Sequence, residues 1–192
     1  MPTNLSRFSS IATDPLRNFK FYVEFTSLSD AGGTNPAITT VVGGFTSVTG
    51  LAINTQPIPY REGGYNTTIH QIPGMTTFSP VTLQRGTLTT NTQGLIWMRQ
   101  LFAAAAGEGT NAAGNFRCNV DIYVLDHPAI KDESDDIVTS AKMHFKLHNA
   151  WITTLQYSDL NAGDQNILFE QMTLVHEGLS AGFVGDATTD VK

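Results

Sequence analysis

The stretch His144-Phe145-Lys146-Leu147-His148-Asn149-Ala150-Trp151-Ile152-Thr153-Thr154-Leu155-Gln156-Tyr157 decides the fold class. Phe145, Leu147, Trp151, Leu155 and Tyr157 occupy odd positions, while His144, Lys146, His148, Thr154 and Gln156 occupy even ones. A period of two belongs to a β-strand with one face buried and the other wet. Lys142 shares the even parity, so Lys142, His144, Lys146 and His148 are expected on a polar face. Upstream, Phe19, Phe21, Val23 and Phe25 alternate with Lys20, Tyr22 and Glu24, which predicts a strand over about residues 18–28. Phe116-x-Cys118-x-Val120-x-Ile122-x-Val124 repeats the pattern and puts Cys118 on the apolar side.

Between these strands the chain alternates strand and turn signals. Residues 29–43 are rich in turn formers and read as a loop insertion. A strand over about 44–58 ends at Pro57 and Pro59. Tyr60-Arg61-Glu62-Gly63-Gly64-Tyr65 then makes a turn into the Thr-rich run 66–72, closed by Pro73-Gly74. That pair predicts an extended β-hairpin. After a strand over 81–88, Thr90-x-x-Gln93 can form a capping box, and Leu95, Met98, Leu101 and Phe102 recur at helical spacing up to a stop at Gly107. Trp97 and Phe102 are expected to anchor this helix to the sheets. Segments 107–115 and 131–137 read as loops, and a last strand covers about 165–177.

The expected fold is mainly β: an antiparallel β-barrel or sandwich with one flanking α-helix and an extended β-hairpin. One domain is expected over residues 14–179, with an N-terminal extension over 1–13 and a loosely ordered polar tail over 180–192.

Composition narrows the functional classes. Of 192 residues, 41% are apolar, enough for one core, and only 15% are charged, well below the usual quarter. Such a surface suits contact with other protein. The net charge of −6 removes the basic footprint that holds phosphates, so no stable nucleic-acid binding is expected, while passage of DNA past an acidic wall remains compatible. No apolar run approaches the length of a membrane span, and residues 1–14 lack a signal-peptide core, so no membrane insertion is expected and synthesis in the cytosol is.

The sequence yields no catalytic, cofactor-binding or metal-binding set. Gly178-Leu179-Ser180-Ala181-Gly182 matches the nucleophile elbow in letters, yet no histidine follows Ser180 and the flanks are not strand and helix. His144 and His148 are four residues apart on one strand, about 13 Å, too far for one metal. Arg61-Glu62-Gly63-Gly64 lacks the lysine and the context of a phosphate loop, and Asp132, Glu133, Asp135 and Asp136 lack calcium-loop spacing. The lone Cys118 offers no disulfide. A non-enzymatic protein is expected.

Four blocks taken together resemble the tail tube proteins of contractile phages and related contractile injection systems. They are Asp14-Pro15-Leu16-Arg17-Asn18-Phe19-Lys20-Phe21; Phe45-Thr46-Ser47-Val48-Thr49-Gly50-Leu51; Tyr60-Arg61-Glu62-Gly63-Gly64 with Ile72-Pro73-Gly74 and Leu83-Gln84-Arg85-Gly86; and His148-Asn149-Ala150-Trp151 with Leu160-Asn161-Ala162 and Leu174-Val175-His176-Glu177-Gly178-Leu179. The resemblance implies a fold shared with the tube protein of type VI secretion. It further implies hexameric rings stacked into a tube in the virion tail, assembled in the host cytoplasm. Implied partners are further copies of the chain, a tail sheath protein, baseplate and tail terminator proteins, and DNA or protein cargo in transit. The inner tube of a bacterial injection system is the alternative reading, and a surface-binding β module a more distant one.

The hairpin over about 58–75 has few residues that can bury against the domain's own core, and an isolated two-stranded ribbon is marginal in water. It is expected to find its partners in other subunits, by adding strands to a neighbour or bearing on the next ring. The residues assigned to this contact are Tyr60, Arg61, Glu62, Gly63, Gly64, Asn66, Thr68, His70, Pro73 and Gly74.

Overall fold

The computed structural model describes residues 16, 18–28, 41–64, 68–87, 92–107, 116–125, 141–163, 166–183 and 189–191. Its elements are β1 (Phe21–Ser27), β2 (Val41–Gly43), β3 (Ser47–Thr49), β4 (Ile53–Tyr60), β5 (His70–Phe78), β6 (Val81–Gly86), α1 (Gln93–Ala105), β7 (Cys118–Leu125), β8 (Ala141–Tyr157), β9 (Phe169–Val175), β10 (Gly178–Phe183) and β11 (Thr189–Val191). Every strand pairing is antiparallel.

The 17-residue β8 joins two sheets. Its first half lies between β7 and β10 in a sheet ordered β2-β1-β7-β8-β10-β11. Its second half pairs with β9 in a sheet ordered β8-β9-β6-β3. The path ends at β2 and at β3, so the architecture is an open sandwich rather than a closed barrel. Val23, Phe25, Val120, Ile122 and Leu147 from the first sheet meet Val81, Leu83, Ile152, Met172 and Leu174 from the second in one core.

The strand parity read from the sequence is interrupted twice within β8. Cys118 pairs with Ala150 but Val120 with Leu147, so His148 and Asn149 together oppose Asn119. Asn149 adopts φ 51°, a left-handed conformation that asparagine tolerates better than most residues. Its backbone N–H donates to Asn119 Oδ1 at 3.2 Å and its side-chain amide to Glu177 Oε2 at 2.7 Å. The bulge moves Ala150 and Ile152 onto the core face, both fully buried. Trp151, expected there, takes the opposite parity to Ala150 and Ile152 and packs half-buried against the core's margin, its ring edge-on to Phe116 at 6.5 Å. A second irregularity at Thr153 restores Leu155 to the core side.

Four further expectations are corrected. The loop over 29–43 ends in β2, which pairs with β1. The strand over 44–58 is cut in two at Gly50, where φ is 91° and an added Cβ would fall 2.1 Å from the Pro80 carbonyl oxygen. Pro73 and Gly74 lie inside β5 rather than ending the hairpin. The expected loose tail contributes β10, which pairs with β8, and β11, which pairs with β10.

The helix packs through Trp97, only 1% exposed. Its ring meets Phe25 edge-on at 5.9 Å, and its Nε1–H donates to the Phe116 carbonyl at 2.7 Å. Phe102 does not share this role, being 66% exposed. Five residues at 3.6 per turn place Phe102 about 140° around the axis from Trp97, so one face cannot hold both. The helix begins after Thr92, whose side chain makes no capping bond, and Thr90 lies outside the described residues.

Candidate assembly surface

β4 and β5 form a two-stranded sheet of their own, apart from both sheets of the sandwich. Ile53 pairs with Phe78 at the base and Tyr60 with His70 near the tip. At the base Ser79 N–H donates to the Ala52 carbonyl at 3.1 Å, and Phe78 lies 5.4 Å from the ring of His176. Thr55 and Thr76 join their hydroxyls across the strands at 2.9 Å, and Asn54 Nδ2 donates to Ser79 Oγ at 3.0 Å.

Between the pairs Thr55–Thr76 and Pro57–Pro73, β5 carries one residue more than β4. Gly74 fills that bulge, where an added Cβ would lie 2.6 Å from the Gln56 carbonyl oxygen and 2.9 Å from Ile58. Beyond it, Ile58 pairs with Ile72 and Tyr60 with His70, and these four side chains share one face. The opposite face carries Pro57, Pro59, Pro73 and Gln71. Ile58, Tyr60 and Ile72 are each about half exposed, and Met75 is more so. The distal ribbon is thus apolar on one side and rich in proline on the other.

The prolines also determine what the ribbon's edges can do. In an antiparallel ladder, N–H groups point alternately to the partner and away from it. Proline has no N–H and fits only at the outward positions. Pro57 and Pro59 therefore remove outward donors from β4, and Pro73 removes one from β5, which blunts both edges against strand addition.

All the hairpin residues singled out from the sequence fall on this ribbon, except Asn66, which lies outside the described residues. Tyr60 ends β4, Arg61 to Gly64 form the exposed turn with Gly64 at φ 101°, Thr68 precedes β5, His70 opens it, and Pro73 and Gly74 lie within it. The exposed apolar residues Ile53, Ile58, Ile72 and Met75 are not among those that the sequence assigns to the contact. Their signal was isoleucine in a run too broken by proline and glycine to show a period.

On the non-core face of the first sheet, Tyr22, Tyr123 and His144 stack in a row, with ring centroids 5.1 Å and 4.5 Å apart. His144 Nε2 lies 2.8 Å from Asp121 Oδ1, and Lys146 Nζ lies 4.0 Å from the same oxygen. His148 Nε2 contacts Ser180 Oγ at 2.5 Å. The two histidines thus turn to different partners, and no group of three potential metal ligands occurs among the described residues. Ser180 is fully buried in the middle of β10, not presented on a turn, so the glycine-flanked serine is not a nucleophile elbow. Burial raises the pKa of the Cys118 thiol, with the charge of Asp121 adding to the effect, so the thiol stays protonated and inert.

Among the described residues no helix is long and apolar enough to cross a membrane. The sequence model of the family described as "T4-like virus tail tube protein gp19" matches residues 17–180. No curated protein matches the sequence. Among solved structures, a chain of the anti-feeding prophage baseplate is 19% identical with a TM-score of 0.67, covering 88% of this chain and 97% of its own. A chain of the sheath–tube complex of an extracellular contractile injection system, PVC, is 20% identical with a TM-score of 0.60, covering 94% of this chain and 99% of its own. A chain of the anti-feeding prophage tube-terminating cap gives 19%, 0.62, 90% and 93% for the same quantities. At these identities the likeness establishes the fold.

Proposed function

The chain belongs to the T4-like tail tube protein family, and from that membership we propose that it builds hexameric rings which stack into the inner tube of a contractile tail. The observation that carries this is the family match across residues 17–180, nearly the whole sandwich. The ribbon supports it: an apolar face on a two-stranded sheet outside the core is stable only when covered. Because the prolines blunt its edges, the ribbon bears on a neighbour through its Ile58–Tyr60–Ile72 face rather than by adding a strand. Glu62 and Arg61 at the tip supply charges that favour one register over others.

In this reading a sheath protein surrounds the tube, baseplate and terminator proteins close its ends, and DNA or protein passes through. The inner tube of a bacterial injection system is the second reading. Its support is that the anti-feeding prophage and PVC chains share the fold with TM-scores of at least 0.60.

Deleting residues 61–66 separates folding from assembly. The expected product is a folded subunit, with circular dichroism and urea midpoint close to those of the full chain, that forms tubes poorly. Normal tubes from the deletion would overturn the role given to the ribbon.

A further inference from the structure

The two sheets turn unlike faces outward. In the second sheet the outward residues fall into register as two cross-strand rows. Thr49 on β3 pairs with Thr82 on β6, Thr82 with Thr173 on β9, and Thr173 with Thr154 on β8. Ser47 pairs with Gln84, Gln84 with Gln171, and Gln171 with Gln156. The alternate residues Val81, Leu83, Met172 and Leu174 are buried, so both rows lie on the side away from the core. Thr49, Thr154, Gln156 and Gln171 are exposed. The Thr82 and Thr173 hydroxyls lie 3.4 Å apart, and Thr153 Oγ1 donates to the Thr173 carbonyl at 3.0 Å. Arg85 and Glu170, the charged residues of these strands, are buried on the core side. The outward face of the second sheet therefore carries hydroxyls and amides and no charge among the described residues.

The outward face of the first sheet is the opposite. Glu24 pairs with Asp121 and Asp121 with Lys146, which makes a row of charges across β1, β7 and β8. A face that lines a stacked tube recurs in every subunit of every ring, so any charge on it is multiplied into a field along the whole bore. Threonine hydroxyls and glutamine amides offer donors and acceptors together, and a passing chain can exchange such bonds with water without being held by ion pairs. Phosphates fare differently, because threonine and glutamine side chains are among the groups that hydrogen-bond the nucleic-acid backbone, and nothing on this face repels it. A protein surface, which carries both signs, is neither drawn to such a wall nor pushed from it.

We propose that the threonine–glutamine face of the second sheet is the wall of the bore, and that it passes polypeptide of either charge rather than nucleic acid. The proposal rests on the tube reading and names the cargo of that tube. Gln84, Gln156 and Gln171 are the residues that set this indifference to charge, since a carboxylate or an ammonium group at any of them would be repeated around each ring. The charged face of the first sheet is then turned to the outside of the tube.

The test uses tubes assembled from the full chain, the native Cys118 being buried. Biotin attached at Gln171→Cys should be hidden from streptavidin in intact tubes and reached once they are taken apart, whereas biotin at Lys146→Cys should be reached in both. Gln156→Cys gives a second site on the same face. Streptavidin binding at these glutamine positions in intact tubes would overturn the wall while leaving the tube reading intact, and absence of tubes from the native chain would overturn both. With a fluorophore at position 171, quencher-labelled peptides rich in lysine or in glutamate should quench equally within about twofold, at low and at high salt. An oligonucleotide of similar length should wash out several-fold more slowly than either. A preference above about fivefold for one sign of peptide, or an oligonucleotide that leaves as freely as the peptides, would overturn the cargo assignment. Gln156→Lys should create a preference for the glutamate-rich peptide of about fivefold that fades as salt is raised. No preference from that variant, with tubes intact, would remove this face from the path of the cargo.

Discussion

Arg85 on β6 and Glu170 on β9 face each other as a buried ion pair. Arg85 Nε donates to Glu170 Oε2 at 2.8 Å and Nη2 lies 2.7 Å from the same oxygen, with side chains 6% and 3% exposed. The guanidinium also lies over the ring of Phe45 at 5.7 Å. A charge left behind at such a site has no water to turn to. Glu170→Ala is therefore expected to cost about 3–5 kcal/mol in urea unfolding. The double change Arg85→Met with Glu170→Leu should cost far less, because it leaves no orphaned charge. Equal losses from the single and double variants would show that the pair contributes through packing alone.

The second carboxylate oxygen of Glu170 faces the helix. A Cβ added to Gly94 in the first turn of α1 would fall 2.6 Å from Oε1 and 3.4 Å from Leu155. On an open helix surface Gly→Ala gains up to about 1 kcal/mol. Here Gly94→Ala should reverse that sign and lower the urea midpoint. A raised midpoint would mean that Glu170 does not lie against the first turn.

Trp97 and Phe102 separate the two sides of the same helix. Trp97→Ala removes a buried indole and its hydrogen bond to Phe116, with an expected loss of about 3–5 kcal/mol. Phe102→Ala should stay within about 0.5 kcal/mol in the isolated subunit. Comparable losses from both would show that the helix is rotated from the orientation described.

The contrast between these residues shows what the sequence could reveal. Alternation at Phe21, Val23 and Phe25, and at Cys118, Val120 and Ile122, was visible because each run keeps its period of two along the strand. The family blocks were visible as letters in order. The bulges at Asn149 and Thr153 were not, because a strict period of two assigns Trp151 to the core and no local signal says that Asn149 will take a positive φ. Phe102 misled for a related reason: an apolar residue near a helix stripe counts toward it until a buried partner such as Trp97 fixes the rotation. Arg85 and Glu170 are 85 residues apart in sequence and joined only by the pairing of β6 with β9. Leu160 falls in an expected loop and Ile167 in the strand expected over 165–177, which begins only at Phe169, and their exposure is a property of the folded surface.

Acid should loosen the root of the ribbon. His176, 5% exposed beside Phe78, is held below the ordinary histidine pKa by burial, against the opposing effect of its hydrogen bond to the Gly178 carbonyl. A histidine with a depressed folded pKa takes up protons more readily once unfolded. Stability should therefore be full above the ordinary value of about 6.5 and fall as pH drops through the folded value. His176→Asn should flatten that part of a pH–stability curve, as read by thermal melting between about pH 5 and pH 7. An unchanged slope would assign the acid sensitivity to other groups.

Negative-stain electron microscopy of the purified chain shows whether it builds a tube, because rings and tubes are seen without any assumption about contacts. Six-fold rings are expected and, as concentration rises, hollow tubes made by stacking them. A chain that stays monomeric at every concentration, or that forms only closed two-fold pairs, would contradict the proposed function.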